Sequence, residues 1–199
     1  IAFRYPWKVH WSFTVVLGIW LIGMGVQYCF GEMPLSELVR QLGIFAILLV
    51  SVMAHEYGHL FMAIWQGYTP ARAVLHGLGG GISLKEGTPI ERDFQKVLWA
   101  GPLTNFILAC IADSFALLLR HPVGFTLDAP LAAELEYWLH TWILINLSMA
   151  FLNLLPIWPL DGGRLLYSAF LLPHLKEPRR TEKEEGDEKV VYMAYFPEP

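Results

Sequence analysis

The stretch LLVSVMAHEYGHLFMAIW, residues 48–65, decides the fold and raises a question about chemistry. It is apolar enough for a membrane-spanning helix, yet its middle carries His55, Glu56 and His59. An ionisable group inside a membrane span is costly and usually marks a functional site. The alternative is that both histidines are neutral core residues that hydrogen-bond to neighbouring helices. Because three polar groups are clustered in one short stretch, we expect a functional site.

The rest of the chain is also strongly apolar. It has 199 residues, of which 55% are hydrophobic, and its mean hydropathy is +0.42. Four runs are almost free of charged residues: 9–31, 41–71, 97–119 and 137–160. Each run reaches the ~20 residues that a helix needs to cross ~30 Å of hydrocarbon. The sequence therefore predicts an all-α polytopic membrane protein with four transmembrane helices, rather than a water-soluble helical domain.

Positive charges are distributed unequally between the predicted loops. If successive loops alternate between the two sides, one side receives Arg4, Lys8, Arg72, Lys85, Arg92, Lys96, Arg164, Lys176, Arg179, Arg180, Lys183 and Lys189. The other side receives only Arg40 and Arg120. Cytoplasmic loops carry the excess of Lys and Arg. We therefore expect a multi-pass protein of a bacterial cell membrane, with both termini in the cytoplasm and the two histidines in the cytoplasmic half of the second span.

The spacing of HEYGH is typical of a metal site. Residues four apart lie on one face of a helix, so His55 and His59 can share an ion. Glu56 follows the first histidine and can act on a water molecule bound to that ion. This is the H-E-x-x-H pattern of zinc metallopeptidases, in which the glutamate is the general base. A catalytic zinc takes three protein ligands, so a third ligand must come from elsewhere.

Asp161 is the best candidate for the third ligand because of its expected depth. The end of the fourth span reads NLLPIWPLDGGR, residues 153–164, and reaches the same face of the membrane as the histidines. Pro156 and Pro159 break the helix there, and irregular backbone at membrane depth is tolerated where it lines a cavity. Asp113 is the competing carboxylate, but it lies in the outer half of span three. The weaker candidates lie at interfaces or in a loop: His10, His76 and His140.

These motifs together resemble the site-2 proteases, zinc metalloproteases that cut substrates within the membrane. HEYGH is similar to the zinc motif of that family, and NLLPIWPLDGG to its second motif, in which the aspartate completes the metal site. AGPLTN, residues 100–105, resembles the Gly-Pro-x-x-Asn element of the third core helix. The motifs span residues 42–164 in the order of the family. Residues 153–163 resemble the sporulation branch, whose member processes a membrane-tethered pro-sigma factor.

The resemblance implies a Zn²⁺ cofactor and roles for four residues: His55, His59 and Asp161 as ligands, and Glu56 as general base. Asn153 resembles a family residue that assists near the scissile bond, where its amide could donate to the developing oxyanion. Hydrogen bonding between helices is an equally good interpretation of Asn153. Gly101 and Asn105 are expected to be packing residues.

Residues 71–87, ARAVLHGLGGGISLKEG, predict a β-hairpin between spans two and three, since a glycine-rich turn separates two strand-like segments. The resemblance implies a membrane-associated sheet at this point. A peptide bond in a helix is shielded, so the substrate must be extended, and a strand edge can bind it by strand addition. The predicted substrate-binding residues are Gly80, Gly81, Ile82, Ser83 and Pro156. A surface hairpin without a ligand is the alternative.

The composition changes abruptly after Pro173, which predicts a division into two parts. Residues 1–175 form the predicted intramembrane metalloprotease core. Residues 176–199 form a charged linker and a short tail, in which VVYMAYF, residues 190–196, is a candidate strand. By resemblance, this tail could be the first strand of a truncated regulatory domain, and a segment that belongs to no such domain is an equal alternative.

The leading hypothesis is an intramembrane zinc endopeptidase that cleaves membrane-tethered substrates near the cytoplasmic side, with pro-sigma-factor processing as its narrower form. The predicted partners are a membrane-tethered protein substrate, a regulatory membrane protein and the lipid bilayer, and no nucleic acid is expected. The alternative is a membrane zinc-binding or zinc-transport protein without proteolysis. A transporter needs ion access from both sides, and the outer half offers only Asp113 and His140.

Overall fold

A computed structural model of the chain describes residues 7–76, 79–85, 94–120, 128–170, 181–185 and 188–192. The helices are α1 (Trp11–Cys29), α2 (Leu35–Trp65), α3 (Phe94–Arg120), α4 (Ala129–Asn153) and α5 (Asp161–Phe170). The strands are β1 (Trp7–Val9), β2 (Pro70–His76), β3 (Gly79–Lys85), β4 (Thr181–Glu185) and β5 (Glu188–Tyr192). Some residues of the predicted segments lie outside the described residues: 77–78 and 86–87 of the hairpin segment, 171–175 of the core, and 176–180, 186–187 and 193–199 of the tail.

Three helices in the described part of the chain are long and apolar enough to cross a membrane: α1, α2 and α3. With a rise of ~1.5 Å per residue, their lengths are about 28, 46 and 40 Å. Most of the large side chains on α1 are exposed, including Val15, Ile19 and Ile22. A helix that exposes such side chains is suited to lipid rather than to water. The chain is an integral membrane protein, as its apolar runs predict.

The fourth predicted span, residues 137–160, corresponds to α4, which starts earlier and ends at Asn153. At 25 residues α4 is long enough to cross the hydrocarbon. It is not among those three helices because its first half carries Glu134, Glu136 and His140, which lower its hydropathy there. Arg40 donates to Glu134 at 3.0 Å, and Arg120 forms an ion pair with Glu136. The count of four spans stays a prediction.

The hairpin between α2 and α3 is present, but it belongs to a larger sheet than the sequence predicts. The strand order is β1-β2-β3-β5-β4. β1 pairs with β2 in parallel, β2 and β3 are antiparallel, and β5 joins β3 at Leu84 and Lys85. An all-α protein with a single hairpin is thus too simple a description. Residues 181–185, predicted as solvated linker, form β4, because the neighbouring β5 offers a strand edge for pairing.

The helix α3 lies at the centre and packs against both α2 and α4. Its buried face is a stripe of small side chains: Ala100, Gly101, Asn105, Ala109, Ala112 and Ala116. Small residues let helix backbones approach closely, which is the usual way in which helices associate in a membrane. Gly58 of α2 faces this stripe, and a Cβ on it would lie 2.7 Å from the Ala100 carbonyl oxygen and would overlap Thr104 Oγ1. The approach of α2 to α3 therefore depends on Gly58.

Replacing Gly58 with alanine should destabilise the metal-free protein. Alanine gains ~1 kcal/mol of helix propensity over glycine. Overpacking a close contact costs ~1–3 kcal/mol, and the Ala100 carbonyl is backbone that cannot rotate away, so the clash should prevail. Thermal or denaturant unfolding in detergent should show a lower midpoint for Gly58→Ala. Gly23→Ala is the matched control, since a Cβ on Gly23 meets nothing within 4 Å. Equal midpoints for the two variants would contradict the packing described here.

Candidate metal centre

His55 and His59 meet on the buried face of α2, as their spacing predicts. Both side chains are buried, and their Nε2 atoms lie 3.0 Å apart. The planes of the two imidazole rings are nearly perpendicular, at 84°. The Nε2 edges of both rings face the same point. The helical spacing of four residues thus brings two potential ligand atoms together without help from the rest of the chain.

Asp161 completes the cluster from the first residue of α5. Its Oδ2 atom lies 3.0 Å from His55 Nε2 and 3.2 Å from His59 Nε2, and the side chain is buried. The turn after α4 makes this possible, because Gly162 packs directly on the Leu154 carbonyl and leaves no room for a Cβ. Among the described residues, His55, His59 and Asp161 are the one group of three or more potential ligands. The competing Asp113 is exposed on α3 and lies outside that group.

Each histidine ring is oriented by a hydrogen bond on its other nitrogen. His59 Nδ1 donates to the Val97 carbonyl oxygen at 2.6 Å, and His55 Nδ1 lies 2.6 Å from Asn105 Oδ1, an acceptor. A neutral imidazole that donates from Nδ1 carries its lone pair on Nε2. Such partners for the second nitrogen are usual for histidines that bind metals, and they fix both tautomer and ring orientation. Held in this way, each neutral ring presents its Nε2 lone pair towards Asp161.

The three atoms fit a bound cation. Three lone-pair donors at 3.0–3.2 Å repel one another unless a metal cation or a proton lies between them. Zinc bonds of ~2.0–2.1 Å at a tetrahedral angle would separate their ligand atoms by about 3.3–3.4 Å, close to the separations here. Space for the ion is provided by Gly101, since a Cβ there would lie 2.6 Å from His55 Nε2 and would overlap His59 Nε2. Two imidazoles and a carboxylate form a donor set that zinc accepts readily.

Glu56 is buried beside the cluster and borders a small cavity of ≈ 40 Å³. The polar wall of the cavity is formed by Glu56, His59 and Asp161, together with Arg164. Within the described parts of the chain, Glu56 Oε2 has no hydrogen-bond partner. A water molecule needs ≳ 10–15 Å³ of such volume, so the cavity is large enough for water next to this oxygen. The arrangement provides a free carboxylate oxygen beside a three-ligand metal cluster.

The hairpin reaches the same cavity, whereas other predicted residues do not. Gly81 and Ile82 of β3 line it, and Gly80 and Ser83 are their neighbours on the same strand. Pro156 is exposed in the turn between α4 and α5 and is not one of the lining residues. Asn153 Nδ2 donates to the Met149 carbonyl oxygen at 3.0 Å, within α4 itself. The roles of Asn153, Pro156 and the hairpin residues in substrate binding stay predictions.

Two residues that the sequence assigns to packing contact the cluster directly. Asn105 is the hydrogen-bond partner of His55, and Gly101 lies against the Nε2 atoms of both histidines. Both belong to the segment AGPLTN, and their spacing of four residues places them on one face of α3. That spacing was a signal for a shared face, but it could not show that the face meets α2 at His55.

The fold and this cluster define an integral membrane protein with a His-His-Asp group that could hold a metal ion, and comparisons with known proteins agree with that class. The family sequence model for peptidase family M50 matches residues 116–195 of this chain. Stage IV sporulation protein FB of Bacillus subtilis is 34% identical over 125 residues, which cover 62% of this chain and 38% of that protein. The B. subtilis protein named "Putative zinc metalloprotease YwhC" is 30% identical over 176 residues, which cover 76% of this chain and 78% of that protein.

A solved structure, the site-2 protease from Methanocaldococcus jannaschii, matches the fold with a TM-score of 0.60. The sequence identity is 25%, and the match covers 83% of this chain and 67% of that one. The chain belongs to the site-2 protease family of zinc metalloproteases, peptidase family M50. It spans about two fifths of the length of several curated relatives, including the sporulation protein.

Replacing Gly101 with alanine should abolish zinc binding while leaving the helices intact. The added methyl group would occupy the space between the two Nε2 atoms, where the ion must sit. We expect bound zinc, measured by elemental analysis of the purified protein, to fall by ~10-fold or more, as for loss of groups that support a metal site. Gly25→Ala in α1, where a Cβ meets nothing within 4 Å, is the control and should keep its zinc. Full zinc occupancy in Gly101→Ala would show that the ion lies elsewhere.

Proposed function

We propose that the chain is an intramembrane zinc endopeptidase that cleaves membrane-tethered proteins. The observation that carries this proposal is the unpartnered Oε2 atom of Glu56 beside the cluster of His55, His59 and Asp161. A site that only stores or transports zinc has no need of a buried carboxylate that accepts no hydrogen bond. A hydrolase needs such a group as general base, placed next to the attacking water.

In this proposal His55, His59 and Asp161 hold the zinc ion, and each side chain keeps a fixed orientation. Bound there, the ion supplies Lewis-acid chemistry, activating water and polarising the scissile carbonyl. Glu56 accepts the proton of the attacking water and then delivers it to the nitrogen of the leaving amide, so that the C–N bond breaks as the amine is released. Burial of Glu56 keeps its carboxylate in place without competing hydrogen bonds.

The substrate in this proposal binds as an extended strand along β3. Gly81 and Ile82 belong both to β3 and to the cavity wall, so a strand added there would carry its backbone past Glu56. Among the described residues, β5 pairs with β3 only at Leu84 and Lys85, which leaves the edge at Gly80–Ile82 for a substrate. Strand addition provides affinity through main-chain hydrogen bonds and unwinds the substrate helix. Pro156 and the second N–H of the Asn153 amide are proposed to contact the substrate near the scissile bond.

Glu56→Gln should abolish cleavage and leave zinc bound. The amide is nearly the same size as the carboxylate but cannot accept the proton from water, whereas the three ligands are unchanged. General acid–base catalysis contributes ~10²–10⁴-fold, so we expect at least that loss in cleavage of a membrane-tethered reporter. Elemental analysis of the same preparation should show wild-type zinc. If the wild type binds zinc but cuts no tethered candidate, the zinc-transport or zinc-storage alternative gains instead.

The distribution of Lys and Arg supports a finer proposal about orientation. Twelve of the 14 positive residues fall on the side that carries both termini, given four spans formed by α1 to α4. The metal centre then lies towards the cytoplasm. The tail 176–199, which contributes β4 and β5 to the sheet, belongs to the same side, and a regulatory membrane protein is proposed to control access. The 34% identity to a sporulation protein supports a pro-sigma factor as the tethered substrate.

Cleavage should therefore release a cytoplasmic product. Co-expression with a membrane-tethered pro-sigma factor, followed by mass spectrometry of the fragments, should map the cut to the cytoplasmic half of the substrate's membrane segment. Glu56→Gln in the same cells is the control for other proteases. A cut in the outer half would contradict the orientation even if zinc-dependent proteolysis were confirmed.

A further inference from the structure

Behind His55, on the side away from the metal, lie three polar side chains that are completely buried. They are Ser51 of α2, Asn105 of α3 and Asn146 of α4, each with 0% of its surface exposed. Buried polar groups in a membrane-spanning region are costly unless they are hydrogen-bonded. Three helices thus each contribute one such group to the same point.

The two asparagines form a connected network. Asn105 Nδ2 donates to Asn146 Oδ1 at 2.8 Å and to the Ser51 carbonyl oxygen at 3.2 Å. Asn146 Nδ2 donates to Ser51 Oγ and to the Trp142 carbonyl oxygen, both at 3.0 Å. Every N–H of both amides therefore has an acceptor, and the chain of bonds ends at His55.

The direction of these bonds is set by the backbone. The carbonyl oxygens of Ser51 and Trp142 only accept hydrogen bonds, so the nitrogen of each amide must face its carbonyl. Asn146 then presents its oxygen to Asn105, and Asn105 presents its oxygen to His55. Because that oxygen also only accepts, His55 must donate from Nδ1, which leaves the lone pair on Nε2 for the metal.

We infer that Asn146 is a positioning residue for His55 and acts through the amide of Asn105, although α4 contributes none of the three ligands. Without the Asn146 oxygen, only the Ser51 carbonyl at 3.2 Å holds the Asn105 amide in this orientation, so the amide reverses more readily and presents an N–H to His55. The ring would then place its proton on Nε2, where it blocks the metal. This inference rests on the proposed zinc site, and it connects the packing of α4 to the state of a ligand on α2.

The first test replaces Asn146 with leucine, which has a similar size but no polar atoms. The dissociation constant of zinc, measured by competition with a chelator on detergent-solubilised full chain, should rise ~10–100-fold, as for other partners of metal-binding histidines. Thr141→Val is the matched control on α4, because the Thr141 hydroxyl donates to the Tyr137 carbonyl within that helix. It should leave the constant unchanged. An unchanged constant in Asn146→Leu would overturn the inference.

A double-mutant cycle separates positioning from general damage to the fold. In an Asn105→Ala background the path from Asn146 to His55 is already broken, so Asn146→Leu should cause no further loss of zinc affinity. A second loss of equal size in that background would mean that Asn146 acts by another route. If Asn146→Leu does not fold, Ser51→Ala replaces it in the same double-mutant cycle, since it removes only the hydroxyl that accepts a hydrogen bond from Asn146. Its smaller loss should likewise vanish in the Asn105→Ala background, and a persistent loss or none would overturn the inference.

A measurement on the metal-free protein distinguishes this inference from the proposed function. The ¹⁵N shifts of His55 should report a proton on Nδ1 in the wild type and on Nε2 in Asn146→Leu or Ser51→Ala. If the wild type binds no zinc, the proposed function fails, yet the tautomer of His55 still decides the inference. A proton on Nε2 in the metal-free wild type would refute it.

Discussion

The structure depends on one electrostatic constraint: two imidazole nitrogens and a carboxylate oxygen are held within 3.2 Å of one another in a membrane-embedded core. Without a metal cation or a shared proton this arrangement is repulsive, and in hydrocarbon no bulk water screens it. With a doubly charged ion the balance changes, because the single negative charges of Asp161 and Glu56 together cancel it. Both histidines stay neutral through their Nδ1 bonds. The loaded site then carries no net charge, which is the state that is cheapest to bury.

The surrounding helices are arranged to meet that constraint. The proposed ligands come from α2 and α5, but the space for an ion is left by Gly101 on α3, and Gly58 lets α3 approach α2. The small-residue stripe of α3 and the tight turn before Asp161 are therefore requirements of the metal centre as much as of packing. In a membrane, where apolar contact between helices has little advantage over contact with lipid, close approach and buried hydrogen bonds carry most of the specificity.

The parts that the sequence predicts well are those encoded locally or by depth. HEYGH is local, since four residues along a helix bring two rings to one face, and Asp161 could be placed by its position near the end of a span. The role of Asn105 depends on which face of α3 packs against His55, a residue 50 positions away in the sequence. A local sequence pattern does not contain that information. β1 is only three residues long and pairs in parallel with a distant strand, so it has no periodic signal. The charged β4 contradicts its own propensity and exists through pairing with β5.

Hydrogen bonds to backbone carbonyls explain how a cluster of polar side chains can be held at membrane depth. Polar groups there survive only when each has a partner, and the backbone is the partner most often used: the carbonyls of Val97, Ser51 and Trp142 all accept from the centre or from its supports. Backbone carbonyls of helices cannot rotate, so they fix direction as well as supply an acceptor. Within the described chain, Glu56 Oε2 beside the cluster is one of the few buried side-chain polar atoms without such a partner; the Gln66 amide and Arg164 Nε are others. In the function that we propose, the attacking water is the partner that this carboxylate oxygen lacks.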